Sequence, residues 1–163
     1  NASRILDAVG AMSGLGYEEL DEAALSVPDA GGLRLVPYFE GERTPNLPDA
    51  TARLEGMTLK NSTRAHLARA GVEGLLSHMR FALECVRELG VPIEKVLVVG
   101  GGARSRAVQS LAPEFLGVPV EFPEAAEYVA LGAARQAEAL NVADLGACGQ
   151  THHCANRAGG SDV

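Results

Sequence analysis

The chain has 163 residues, enough for one domain with its own core, and a hydrophobic content of 47% supports a folded one. Lys and Arg number 14 against 21 Asp and Glu, a formal net charge of -7 with no basic block, which excludes nucleic acid and anionic membrane surfaces as partners. No apolar run approaches a membrane span, no signal-like start is present, and Cys85, Cys148 and Cys154 form no disulfide framework, so the chain reads as cytoplasmic.

Ile5, Leu6, Val9 and Met12 recur at helical spacing and predict a helix from Ala2 to Met12. It is under way at the first residue, as in a fragment of something longer. The loop Ser13-Gly-Leu-Gly16 leads to a short acidic helix, Tyr17 to Leu25, which stops before Pro28 and the Gly31-Gly32 turn. Leu33 to Phe39 is extended but interrupted by Pro37, which marks an edge strand. Gly41-Glu-Arg-Thr-Pro45 is loop chemistry.

The longest element, Thr63 to Leu89, carries Ala68, Val72, Leu75, Leu76, Met79, Ala82, Leu83, Val86 and Leu89 on one stripe. Arg69, Glu73, Ser77, Arg80, Glu84 and Arg87 fall on the other, solvated side. Ser62 or Thr63 caps the start, and a left-handed Gly90 followed by Pro92 gives the stop. His66 and His78 are too far apart on this helix to share a metal and read as structural or surface histidines, and Cys85 reads as core.

A strand and helix alternation comes next: Val96 to Val99, Ser105 to Leu116, Val118 to Phe122 and Ala125 to Leu140, with a kink or early end expected at Pro113. Such alternation predicts an α/β fold with a parallel sheet and ligands at the carboxyl ends of its strands. Gly100, Gly101 and Gly102 lie at such an end, between Lys95-Val-Leu-Val-Val99 and the helix near Ser105. A turn without side chains lets a ligand approach the backbone, and free N–H groups at a helix start attract a phosphate. Glycine-rich turns also join strands to helices for steric reasons alone.

Three nucleotide chemistries compete for this turn. No Gly-Lys-Ser/Thr exists, so a Walker loop is excluded. A Rossmann dinucleotide site would use Gly100, Gly102 and Ser105 with Glu121 as the ribose acid, although Ser105 stands where a third glycine or alanine belongs. From Asn141 onward the composition turns to small and polar residues without periodicity, which predicts a lobe over 1–140 and a flexible tail over 141–163. Cys148, His152, His153 and Cys154 in that tail lack structural zinc spacing.

The third chemistry comes with a resemblance. Ala52-Arg-Leu-Glu-Gly-Met57, then eight residues, then His66-Leu-Ala-Arg-Ala-Gly-Val-Glu73 resembles the second signature of the FGGY carbohydrate kinases, with Gly71 where a larger side chain is usual. Gly41-Glu-Arg-Thr-Pro45, Gly100-Gly-Gly-Ala-Arg-Ser105 and Glu127-Tyr-Val-Ala-Leu-Gly-Ala-Ala-Arg-Gln-Ala137 extend the likeness, the last two in the manner of its xylulokinase branch. It implies the C-terminal lobe of a ribonuclease-H-like fold of the actin and Hsp70 ATPase type, incomplete here, with helices packed on a small sheet. Gly101, Gly102, Ala103, Ser105 and Arg106 match the turn that contacts the adenosine and α-phosphate end of ATP. The implied parent reaction is ATP-dependent phosphorylation of D-xylulose. Its carboxylate base, both phosphate loops and the Mg2+ ligands are expected upstream of this segment, so no catalytic residue is assigned here and the segment alone should be inactive. Asp7, Asp21, Asp29, Asp49, Asp144 and Asp162 read as caps or solvated charges. The implied partners are the N-terminal lobe, ATP, and a pentulose bound through that other lobe. Apolar surface left bare by the missing lobe predicts self-association, a homodimer among its forms. The alternative is a noncatalytic nucleotide-binding or Rossmann-like module.

Overall fold

The computed structural model describes residues 2–124 and 126–147, which fall in two compact units, Asn1–Ala125 and Ala126–Val163. In the first unit, α1 (Ala2–Ser13) and α2 (Tyr17–Leu25) form where the apolar spacing places them. The α1 stripe buries Ile5, Leu6 and Val9, and Gly14 with φ 68° turns the chain toward α2. The backbone N–H of Gly16 donates to Glu19 Oε2 at 3.0 Å and so helps close the start of α2. On its inner face α2 buries Leu20, Ala24 and, on the same stripe, Asp21.

Strand β1 (Arg34–Val36) pairs antiparallel with β2 (Arg53–Glu55), with Leu35 opposite Leu54. As Pro37 implies, β1 stands at the edge of a small sheet. Little in the residue pattern points to β2, which is three residues long and ends at Gly56. That glycine has φ 76°, and a Cβ there would lie 2.2 Å from the Gly32 carbonyl oxygen, so only a bare backbone passes.

The long helix α3 (Arg64–Glu88) is the centre of the unit and packs against α1, α2, β1 and α4. It starts at Thr63, whose Oγ1 accepts the His66 N–H, and Gly90 beyond its end has φ 79°. Two glycines let its neighbours in. A Cβ on Gly71 would come within 2.8 Å of Val9 Cγ2, and one on Gly74 within 2.6 Å of the Leu35 carbonyl oxygen. The bare position at Gly71 is therefore where α1 seats against α3.

Three expectations for α3 are corrected. The stripe is buried through Ala68, Val72, Leu75 and Leu76 and partly buried at Met79 and Leu83, but Val86 and Leu89 at its far end are exposed, because the cover over α3 thins toward its carboxyl end. Arg69 is not on a solvated face. It is buried at 8% exposure, donates Nη1 to the Ala24 and Val27 carbonyls at 3.3 and 3.2 Å, and pairs with Glu73 at 2.7 Å. It closes the carboxyl end of α2, whose last carbonyls need donors. Cys85 is half-buried rather than core.

The remaining part of the unit is a strand, helix, strand passage. β3 (Val96–Leu97) pairs parallel with β4 (Val120–Glu121) across α4 (Arg106–Leu116), so the expected parallel pairing is realised in these two strands, while β1 belongs to the separate antiparallel pair. Contrary to an early end at Pro113, α4 runs on to Leu116 and closes at Gly117 with φ 63°. Pro113 is exposed, so the carbonyl its ring leaves without an N–H partner faces water. The second unit contains α5 (Tyr128–Ala147), which extends past the composition change at Asn141. Cys148, His152, His153 and Cys154 of the expected tail lie outside the described residues.

Candidate nucleotide cleft

The triglycine segment is a shaped turn. Gly100 has φ 93° and ψ -172°, a region essentially restricted to glycine, and it sends the chain from β3 into a 3-10 turn over Gly101–Arg104. The Ala103 N–H donates to the Gly100 carbonyl at 3.1 Å and the Ser105 N–H to the Gly102 carbonyl at 3.3 Å. Gln109 Nε2 on α4 donates to the Ala103 carbonyl at 2.7 Å and ties the turn to that helix. Gly102 is buried.

The start of α4 differs from the sequence expectation. Its N–H groups are not free for an anion, since each of the first three is taken inside the protein. Ser105 is the N-cap, and its Oγ accepts the Val108 N–H at 3.1 Å. Asp21 on α2 supplies the rest: Oδ2 accepts the Arg106 N–H at 2.8 Å, and Oδ1 accepts the Ala107 N–H at 3.2 Å together with the Ser105 hydroxyl. Asp21 is a buried carboxylate, 5% exposed. A carboxylate suits this place because it faces the positive end of the α4 dipole and receives several donors. The sequence signal was present, since Leu20, Asp21 and Ala24 share the inner face of α2 and an acid on an apolar stripe needs a partner.

Between α2 and the turn lies a cleft of 510 Å³. Tyr17, Glu18, Leu20 and Asp21 form the α2 wall, Gly101, Gly102, Arg104, Ser105 and Arg106 form the opposite wall, and Leu6 contributes from α1. Four of the five residues expected at a nucleotide site therefore meet on one cavity. Ala103 sits in the turn without lining the cleft, while Arg104, Tyr17, Glu18 and Asp21 join it without having been singled out. The Tyr17 hydroxyl donates to Asp7, which raises the Tyr17 pKa through that hydrogen bond and the nearby negative charge. Arg106 Nη2 approaches Glu22 at 3.4 Å, so the rim carries charges of both signs.

A second cleft, of 550 Å³, lies between β1 and α3. His78 Nε2 there meets Glu42 Oε2 at 3.0 Å, and the His78 and Tyr38 rings stand edge to face with centroids 5.8 Å apart. Glu42 Oε1 accepts the Arg43 and Thr44 N–H groups at 2.7 and 3.1 Å. Partial burial pushes the Glu42 carboxyl up, but the Thr44 and Arg43 N–H groups and the adjacent His78 outweigh it and hold the pKa below its ordinary 4.5. The two helix histidines have separate partners, His66 Nδ1 lying 2.8 Å from Thr63 Oγ1.

Glu121, the ribose acid of the dinucleotide alternative, is held by Lys95 Nζ at 3.0 and 3.2 Å through both oxygens. Asp29 accepts the Gly31 N–H at 2.6 Å, a loop-closing role. Among the described residues no group of three or more His, Cys, Asp or Glu is arranged to hold a metal ion, and no helix is long and apolar enough to cross a membrane.

Comparison with known proteins gives a family. Residues 3–139 match the FGGY family of carbohydrate kinases, C-terminal domain. A xylulose kinase of Streptomyces coelicolor is 36% identical over 141 residues, covering 86% of this chain and 28% of that protein. A glycerol kinase of Nitratidesulfovibrio vulgaris is 37% identical over 118 residues, 71% of this chain and 24% of that protein. Among solved structures, a xylulose kinase from Bifidobacterium adolescentis superposes with a TM-score of 0.75 at 56% identity, covering 83% of this chain and 27% of that one. A ligand-bound xylulose kinase from Lactobacillus acidophilus shares the fold, with a TM-score of 0.72 at 21% identity over 85% of this chain and 29% of that one. The chain thus spans less than a third of the length of these relatives, and its fold is that of the C-terminal lobe of the actin/Hsp70-type kinases.

Proposed function

The chain belongs to the FGGY family of carbohydrate kinases, whose C-terminal domain it carries, and from that premise we propose that it is the nucleotide-binding lobe of a kinase that phosphorylates D-xylulose with ATP. The observation that carries this reading is the cleft at the Gly100–Gly102 turn, where bare backbone, the α2 wall and an aromatic ring border a single cavity. Gly101, Gly102, Ser105 and Arg106 hold the adenosine end of ATP there, with Ala103 setting the turn's shape. Tyr17, exposed at 65% on the cleft and tethered through its hydroxyl to Asp7, offers a flat surface to the base.

Phosphoryl transfer moves the γ-phosphoryl from the ADP oxygen to the sugar 5-hydroxyl oxygen, and the hydroxyl proton passes to a base. The part of this chain is to bind and orient the nucleotide. Asp21 has both oxygens engaged by backbone and Ser105, which makes it unsuited to serve as that base or as a magnesium ligand. The base, the pentulose contacts and the Mg2+ ligands are assigned to the N-terminal lobe and the segment that joins it, and the protein is assigned to the cytoplasm.

The test is calorimetry with a kinetic control. ATP should bind with the affinity of a nucleoside site, NAD should not compete, and Gly102→Val should weaken ATP by about a hundredfold or more, because a branched side chain at a buried turn position must enter either the cleft or the packed interior. The chain by itself should transfer no phosphoryl group to D-xylulose. ATP affinity indifferent to Gly102→Val, or turnover by the chain alone, would contradict the assignment.

A further inference from the structure

The junction between α2 and α4 governs which part of a ligand the cleft can accept, an inference that rests on the cleft being a nucleotide site. Asp21 lies 85 residues from Arg106 in sequence, yet its two oxygens take the Arg106 N–H, the Ala107 N–H and the Ser105 hydroxyl. Ser105 in turn takes the Val108 N–H. A helix start attracts phosphate only when its N–H groups are available and its positive end is unpaired. Here an internal carboxylate already sits on that end. A phosphate brought to the same place would lie beside a buried negative charge and find no free donor on the first turn of α4.

The same bonds fix geometry. The α2 wall of the cleft and the turn wall are separate in sequence, and Asp21 is the buried polar group that hydrogen-bonds one to the other. Beyond it, Arg106 and Glu22 make an exposed pair at 3.4 Å, with side chains 60% and 72% exposed, which holds little in water. Apolar residues of both helices share one core, and Asp21 is what bonds the α2 wall directly to the start of α4 behind the turn.

We propose that Asp21 is a positioning residue of the nucleotide cleft that holds α2 in register with the glycine turn and, by occupying the α4 helix end, turns phosphate away from that end. The residue acts through Ser105 and the backbone of Arg106 and Ala107.

The experiment uses the chain labelled with nitrogen-15, and three ligands: adenosine, ATP and inorganic phosphate. Adenosine and ATP should both bind the native chain, with the ATP phosphates leaving the Arg106 and Ala107 amides engaged by Asp21. Inorganic phosphate should leave the Arg106 and Ala107 amide resonances of the native chain unmoved and should shift them saturably in Asp21→Ala, where the N–H groups are released. Asp21→Asn keeps one acceptor oxygen and the side-chain shape. It should remain folded and bind adenosine about tenfold more weakly per folded molecule, whereas Leu35→Ala, a core change on β1 away from the cleft, should lower the melting temperature without altering affinity. Phosphate moving the Arg106 and Ala107 amides in the native chain would overturn the proposal, and so would adenosine affinity unchanged in Asp21→Asn. If neither adenosine nor ATP binds the native chain, the nucleotide reading fails, while the phosphate titrations still decide what occupies the helix end.

Discussion

Helices α3 and α4 both begin at a hydroxyl N-cap, and they are finished in different ways. At α3 the device is local: Thr63 Oγ1 accepts the His66 N–H at 3.2 Å and also meets the His66 ring. At α4 the equivalent Ser105 bond is one part of a junction whose other part, Asp21, comes from α2. A local cap stabilises one helix. A remote carboxylate also dictates where that helix, and the turn in front of it, sit relative to another element. Glu42 repeats the second device at smaller scale, gathering two loop N–H groups and reaching His78 on α3.

If that contrast is correct, the largest stability loss belongs to Asp21→Ala, which strands the buried Ala107 N–H, the partly buried Arg106 N–H and the Ser105 hydroxyl and should cost about 3 kcal/mol in urea unfolding. A loss no greater than that of an ordinary cap would break the comparison. Gly100→Ala should come second at about 2 kcal/mol, because no atom crowds a Cβ there but the φ of 93° with ψ of -172° is strained for any other residue. Thr63→Ala should cost only about 1 kcal/mol and leave nucleotide affinity intact. The smallest effect is pH-dependent. The Glu42 pKa is depressed in the folded state, so its contribution is present above the ordinary 4.5 and fades as pH falls through the lower folded value. Glu42→Gln should accordingly melt earlier than the native chain near neutrality and converge with it in acid. A deficit that persists at low pH would show that the carboxylate's charge is not what holds the loop.

The same contrast separates what was legible in the sequence from what was not. Helices α1 to α4, the cap at Thr63 and the left-handed Gly90 arise from spacing and residue chemistry within a few residues of each other, and the parallel pairing of β3 with β4 from the strand and helix alternation between them. The features that stayed hidden depend on partners far away in sequence. Arg69 reads as a surface charge on the helical wheel, but the open carbonyls at the end of α2 draw it inside. The far end of the α3 stripe reads as core, and its exposure is set by how far α1, α2 and β1 extend. β2 is too short to announce itself. The cleft shows both cases at once: the glycine turn was visible from residue type alone, and the α2 wall with Asp21 and Tyr17 required the fold.

Mapping the amide resonances that move when ATP is added locates the nucleotide on the protein. With the nucleotide in the cleft between α2 and the glycine turn, saturable shifts should occur at Gly101, Gly102 and Ser105 and along Tyr17–Asp21, and the residues of the second cleft, Leu35, Tyr38 and His78, should stay unmoved. Shifts confined to the second cleft, or none at the glycine turn at saturating ATP, would contradict that placement.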